Sequence, residues 1–278
     1  MTSPPKHAYA GLMPSDPMNP GFPNLPHVDE LLGGWALDPD ISYLNHGSFG
    51  ARPMAVLRAQ QEWTRRFEEN PIRWMDRERP LLLRNARLRL GEFLGADPDD
   101  LGLVTNATNA VNCVLRSRTF ERGDEVLAVS HVYNAVRVTM AHVARRDSAI
   151  YREVDVPYPI DAPETVRSAV IDAITDRTRM LVIDHITSPT ALILPIETIA
   201  RDAAARGVEV LVDGAHAPGM LPIDLRALAD AGVSYYAGNL HKWVCAPRGA
   251  AFLWVRRDLQ ATVRPTVISH GANSKRGG

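Results

Sequence analysis

An α/β fold built on a seven-stranded, mostly parallel sheet with helices on both faces is the architecture this sequence predicts, and three observations predict it. Short apolar runs recur at 101–105, 125–129, 149–154, 180–184, 209–213, 234–237 and 250–255. Several of them are apolar almost throughout, as strands covered on both faces are. Between most runs, apolar residues fall three or four apart, as in Val136, Met140 and Val143 or Val166, Val170 and Ile174, which is the helical period. Strand alternating with helix gives parallel pairs joined by right-handed crossovers, a doubly wound sheet. The third observation is that polar clusters close several of the runs, and ligands of such sheets bind at the carboxyl ends of the strands.

Composition narrows the class. The 278 residues are 45% hydrophobic and 23% charged, an ordinary globular balance with enough chain to bury a sizeable core. A net charge of -1 gives no electrostatic footprint for nucleic acid or anionic lipid. No uncharged apolar run is long enough to cross a bilayer, and no basic segment followed by an apolar stretch opens the chain. Cys113 and Cys245 lie far apart and form no CxxC pair, which argues against a zinc knuckle or a disulfide scaffold. A cytoplasmic, unanchored protein is expected.

Taken in order, residues 1–40 read as an extended arm, with seven prolines in the first 26 positions and no steady hydrophobic period, and residues 41–278 as the domain proper. Residues 41–50 read as a short strand running into a glycine turn at Gly47 and Gly50, after which Pro53 suits the first turn of a helix. Two helices follow, at 54–68 and 77–94, separated by Asn70-Pro71-Ile72-Arg73-Trp74. The run at 101–105 leads into Thr105-Asn106-Ala107-Thr108-Asn109, opening a helix through about residue 116. Backbone N–H groups there, with a threonine hydroxyl, make a phosphate cup; alternatively Thr108 is only an N-cap. Ser130-His131-Val132-Tyr133-Asn134-Ala135-Val136 follows the second run, and Asp184-His185-Ile186-Thr187-Ser188-Pro189-Thr190-Ala191 the fourth. Ile196 then starts a helix that Gly207 stops. No G-x-G-x-x-G follows any strand, so a dinucleotide site is not expected.

The last two motifs carry the chemistry. Asp213-Gly214-Ala215-His216 closes one apolar run and Gly238-Asn239-Leu240-His241-Lys242-Trp243 the next. Lysine is rarely buried unless paired or put to work, and desolvation lowers its pKa until the neutral amine can attack a carbonyl carbon. An aspartate on the neighbouring strand end can hold a protonated ring nitrogen, as a pyridoxal-phosphate (PLP) site requires.

Together these motifs resemble fold-type I PLP enzymes of the aminotransferase class V superfamily, most of all its isopenicillin-N-epimerase-like branch, from about residue 43 to residue 270. The resemblance implies a PLP-dependent transferase-like large domain acting at the Cα of an amino-acid substrate. Lys242 would carry pyridoxal 5'-phosphate as a Schiff base and move the Cα proton, Asp213 would pair with the pyridine nitrogen, and His216 would lie by the ring and its phenolic oxygen. Ala107, Thr108, Asn239 and His241 would grip the phosphate. Tyr133 would stack on the ring, with His131 the alternative, and Ser188 would reach the phenolic oxygen. His46 or Ser48, within Leu44-Asn45-His46-Gly47-Ser48, would lie on the substrate side, and Arg73 would approach the substrate carboxylate. Plainer roles stand beside these: a surface arginine at Arg73, a core tyrosine at Tyr133, a structural histidine at His216.

Members of the superfamily continue into a smaller C-terminal domain bearing a Gly-Thr loop and a carboxylate-binding arginine, and neither is recognisable before Gly278. The expectation is a fragment, then a chain completed by a second polypeptide, then a shortened homologue. Each leaves an apolar face exposed, so a homodimer or a second chain carrying the small domain is expected. The branch favours epimerase or C–S lyase chemistry over transamination. Two other readings remain. One is a metal-dependent hydrolase using Asp184, His185, Asp213, His216 and His241, which leaves Lys242 and Thr108 unexplained. The other is a non-catalytic PLP-binding partner subunit.

Overall fold

The computed structural model describes residues 34–38, 40–156 and 158–269. The expected arm as far as residue 33, and residues 270–278 with His270, lie outside the described residues.

Seven strands form one sheet: β1 (Leu101–Val104), β2 (Glu125–Val129), β3 (Ile150–Val154), β4 (Thr178–Asp184), β5 (Glu209–Gly214), β6 (Val233–Asn239) and β7 (Ala251–Val255), in the order β1-β7-β6-β5-β4-β2-β3. The pairs among β2, β3, β4, β5 and β6 are parallel, and β7 runs antiparallel to both β6 and β1. The sheet is thus mixed and mostly parallel, as expected.

Because side chains alternate across a strand, each apolar run feeds two cores. Val126, Ala128, Met180, Val182, Leu211, Tyr235 and Ala237 pack on one face with α3 (Ala107–Ser117) and α4 (Asn134–Asp147). Leu127, Val129, Leu181, Ile183, Val210, Val212 and Tyr236 pack on the other. That second face is covered by α2 (Arg79–Leu94), α5 (Pro163–Ala173), α6 (Ile196–Ala205) and α7 (Leu225–Asp230). Each fully buried Leu, Ile or Val contributes about 1.5–3 kcal/mol, and this is why runs without alternation still specify the sheet.

Local chemistry sets the helix ends. The N–H of Gly95, at φ 60°, returns to the Gly91 carbonyl and closes α2. The Asp224 carboxylate accepts N–H groups of Arg226 and Ala227 at the start of α7. Asn106, not Thr108, caps α3, its side chain accepting the Asn109 N–H at 2.7 Å.

Two local expectations are corrected. Residues 41–50 form no strand but an extended segment ending in turns. It has no neighbouring strand to pair with and is held by side chains instead. Asn45 donates to Ser48 Oγ at 2.9 Å and accepts the Ser48 N–H at 3.1 Å, while Tyr43 Oη donates to the Phe49 carbonyl. The stretch between α1 (Met54–Glu69) and α2 is also not a plain break. Asn70 caps a short helical turn, Pro71–Arg73, that runs on through a π-helical segment, Trp74–Glu78. Pro71 suits such a helix start, since the N–H it lacks has no partner there. Several large apolar side chains on α2 are exposed, among them Leu81, Leu83, Leu88 and Phe93.

Candidate active site

The period-2 rule places the site. Val182, Leu211 and Ala237 sit on the sheet face under α3 and α4, and two residues further along the same strands come Asp184, Asp213 and Asn239. All three therefore leave the same face at the carboxyl ends of neighbouring parallel strands. Asp184 is the register partner of Asp213, and Asp213 that of Ala237. Over them opens a cavity of about 630 Å³, whose wall includes Ala107 and Thr108 of the first turn of α3, Tyr133 before α4, Ser188, His216, His241 and Lys242. Segment 41–50 closes one side through Asn45, Ser48 and Phe49.

Three contacts fix the interior. Lys242 Nζ lies 3.0 Å from His216 Nε2. Asn239 Oδ1 accepts the Ala107 N–H at 2.8 Å, tying the end of β6 to the start of α3. Asp213 Oδ1 accepts the Ala215 N–H at 3.0 Å. With the Ala107 and Asn109 amides already engaged, the first-turn residue between them that faces the cavity is Thr108. The segment from His241 to Val244 approaches its neighbours so closely that glycine is required beside it. A Cβ on Gly50 would lie 2.1 Å from the His241 carbonyl oxygen, and one on Gly219, at φ 89°, would lie 2.8 Å from the Trp243 carbonyl carbon.

Burial dominates the electrostatics. It pushes the Lys242 ammonium below the usual lysine range, against the opposing pull of Asp213 and Asp184. His216 is pushed down to about 4 by burial and then by the Lys242 charge, so at neutral pH the ring is uncharged and its Nε2 accepts a hydrogen bond from the Lys242 ammonium. Burial drives the Asp213 carboxyl up despite the Ala215 N–H and Lys242. Asp184 is driven well up by burial and then by Asp213, and its Oδ2 is buried with no hydrogen-bond partner. A half-buried lysine, a neutral histidine and two undercompensated carboxyls form a set that a cationic, hydrogen-bonding ligand would complete.

The structure brings together Ala107, Thr108, Tyr133, Ser188, Asp213, His216, Asn239, His241, Lys242 and Ser48, nearly every residue singled out from the sequence. It leaves out two. His46 does not line the cavity; it packs edge-on against Trp35 and Tyr43 and lies 6.0 Å from the Trp243 ring. Arg73 is turned to solvent and paired with Glu78 at 2.8 Å, because the helical link carries it away from the sheet. His131, the alternative ring, bonds Thr190 and the Val156 carbonyl. The hydrolase set does not converge either. His185 gives its Nδ1 to Tyr236 Oη at 2.8 Å, and among the described residues no three His, Cys, Asp or Glu side chains gather as a metal site. Sequence reasoning gave no cofactor role to Asp184 and none at all to Asn45 or Trp243. The signal for Asp184 was present: it closes β4 two residues after buried Val182, as Asp213 closes β5 after Leu211.

The model of the family described as "Aminotransferase class-V" matches residues 43–275. Isopenicillin N epimerase of Streptomyces clavuligerus is 36% identical over 87% of this chain and 60% of its own length. The enzyme of the same name from Amycolatopsis lactamdurans is 38% identical over 85% and 59%. A probable chloroplastic L-cysteine desulfhydrase of Arabidopsis thaliana is 32% identical over 80% of this chain and 49% of its own. A solved C-DES variant with glycine covalently linked to its PLP cofactor superposes with a TM-score of 0.74 at 25% identity, covering 91% of this chain and 66% of that one. The chain thus spans about three fifths of the length of the epimerases, 60% and 59%.

Proposed function

The chain belongs to the aminotransferase class-V family, and from that premise we propose that it binds pyridoxal 5'-phosphate through Lys242 and acts at the Cα of an amino acid. The observation that carries this reading is the convergence of a half-buried lysine, held 3.0 Å from a neutral histidine, on the cavity floored by Asp213 and walled by the first turn of α3. When bound, PLP supplies an aldehyde carbon for an amine and an electron-withdrawing ring that accepts the pair left as the Cα proton departs. The residues fit it. A protonated ring nitrogen gives Asp213 the counter-charge it lacks and returns its carboxyl to the ionised form. Thr108 and the start of α3 favour an anion at the opposite end.

The chain's own residues then divide the work. Lys242 Nζ holds or moves the proton at Cα, and His216 Nε2 orients that amine while remaining neutral. Asn239 fixes the start of α3 against the sheet. Tyr133 and segment 45–49 exclude water from the two sides. Likeness to epimerases and to cysteine desulfhydrases supports epimerisation or C–S lysis over transamination. Lys242 is the only lysine or arginine among the described residues lining the cavity, so a substrate α-carboxylate takes its cation from beyond them. A homodimer, or a second chain carrying the small domain, is proposed as the working form.

Absorbance tests the assignment. The wild-type chain with PLP added should show a visible band that borohydride bleaches while fixing the cofactor covalently to the chain, and Lys242→Ala should abolish both the band and the fixation while retaining native circular dichroism. A Lys242→Ala variant that keeps the band sinks the proposal.

A further inference from the structure

Resting on the reading of Asp213 as the carboxylate set against a ring nitrogen, we propose that Asp184 is a positioning residue beside it, a neutral carboxylic acid that leaves Asp213 the pair's single negative charge. The two residues are register partners on adjacent parallel strands. Their side chains leave the same face, where neighbouring strands lie about 4.8 Å apart. Both are buried, 2% and 3% exposed. Asp184 also lines the cavity, and its Oδ2 has no hydrogen-bond partner.

Few groups face the pair. Asp213 stands on β5. Lys242, beyond β6, gives its near contact to His216. From β6 the Tyr236 phenol stands on the opposite face of the sheet, bonded to His185 at 2.8 Å, and from the start of α4 the Tyr133 backbone N–H reaches Asp184. Removing one carboxylate from water costs several kcal/mol even after relaxation, and a second like charge beside it adds repulsion that one nearby lysine does not offset. Buried carboxyl pairs resolve this by holding one proton between them. The proton belongs on Asp184, which has an oxygen without any donor and no cation in contact. Asp213 has the Ala215 N–H at 3.0 Å and the position that faces the proposed cationic ring. Burial and the neighbouring Asp213 both push the Asp184 carboxyl up, in agreement. As a neutral acid, Asp184 still accepts the Tyr133 N–H, so it holds the backbone under the stacking ring without adding charge to the site.

Infrared difference spectra test this on the full chain, with and without added PLP. At neutral pH, wild type minus Asp184→Asn should contain the carbonyl stretch of a protonated carboxylic acid, shifting on transfer to deuterated water. Asp184→Asn should bind PLP within about twofold of wild type, since it removes no charge. If that variant does not fold, Asp184→Ser serves for the spectrum. Absence of the band overturns the proposal, as does a loss of affinity of about tenfold or more in Asp184→Asn, the cost of a missing negative charge. The band is read on the protein without PLP. A chain that shows it yet binds no PLP therefore upholds the neutral Asp184 and defeats the cofactor reading.

Discussion

Substituting Gly50 by alanine tests how segment 41–50 is held against the turn that carries Lys242. A Cβ there would meet the His241 carbonyl oxygen at 2.1 Å, the Lys242 carbonyl oxygen at 2.5 Å and the His241 carbonyl carbon at 2.9 Å. These are backbone atoms that no rotamer change can move aside. Restoring ordinary contact requires a displacement of roughly 1 Å, and forcing extra atoms into a packed position costs about 1–3 kcal/mol. Because Ser48 and Phe49 line the cavity, the displaced segment also moves the site wall. A shift of about 1 Å in that wall should therefore weaken PLP binding as well. Gly102 is the control, since the nearest atom to a Cβ there is the Leu253 carbonyl oxygen at 3.7 Å, and Gly102→Ala should leave stability and PLP affinity unchanged. Urea unfolding followed by circular dichroism, with PLP titration beside it, reads both effects. If Gly50→Ala keeps the wild-type urea midpoint and the wild-type affinity, segment 41–50 does not pack on the Lys242 turn as described.

Further outcomes follow from the interior contacts. Asn239→Ala leaves the buried Ala107 N–H without its 2.8 Å acceptor and should destabilise the fold by about 1–3 kcal/mol, seen as a lower urea midpoint together with weaker PLP binding; an unchanged midpoint would mean that water or another group replaces Asn239. For pH, His216 sits at about 4 in the fold against about 6.5 unfolded. The unfolded chain therefore binds the extra proton between those values, and the His216 contribution is complete above about pH 6.5 and lost as pH falls toward 4. His185, also pushed to about 4 by burial, acts in the same direction, while the raised Asp184 and Asp213 act oppositely, gaining protons in the fold. Comparing wild type with His216→Gln isolates the histidine: the acid-side slope of the urea midpoint should flatten in the variant, and identical slopes would remove His216 from the account.

The sheet is legible because five of its runs, all but the edge strands β1 and β3, are buried on both faces, so that Val126 to Val129 or Val210 to Val212 need no alternation to be recognised. Strand ends move by a residue or two where the polar cluster joins the ladder, as at Asn239, which belongs to β6 because it pairs with Ala251. Segment 41–50 reads as a strand from its apolar residues and is none, since whether a strand forms depends on a partner edge that local sequence does not encode. His46 and Arg73 fail for a related reason. Their motifs give position along the chain, but the direction of the side chain is set by Trp35, Tyr43 and Trp243 for one and by the helical link and Glu78 for the other. Asp213 and Thr108 are legible in position because each sits at the end or start of a regular element, where the period decides the face, and Lys242 because its motif directly follows β6.

That same rule fixes the floor of the site. Asp184, Asp213 and Asn239 come from three adjacent strands, and their spacing is fixed by the ladder rather than by any contact among the side chains. A loop can drift, whereas moving one of these groups relative to the next means sliding a strand, which reverses its buried and exposed faces. Lys242 stands outside the ladder, three residues beyond β6, and its place is set instead by close glycine packing at Gly50 and Gly219. The acidic floor is therefore rigid by topology and the lysine by steric fit. On the proposed reading, an amine that must bond the cofactor's aldehyde carbon and then withdraw is better carried on the second kind of support, where motion costs packing at two glycines rather than the register of a sheet.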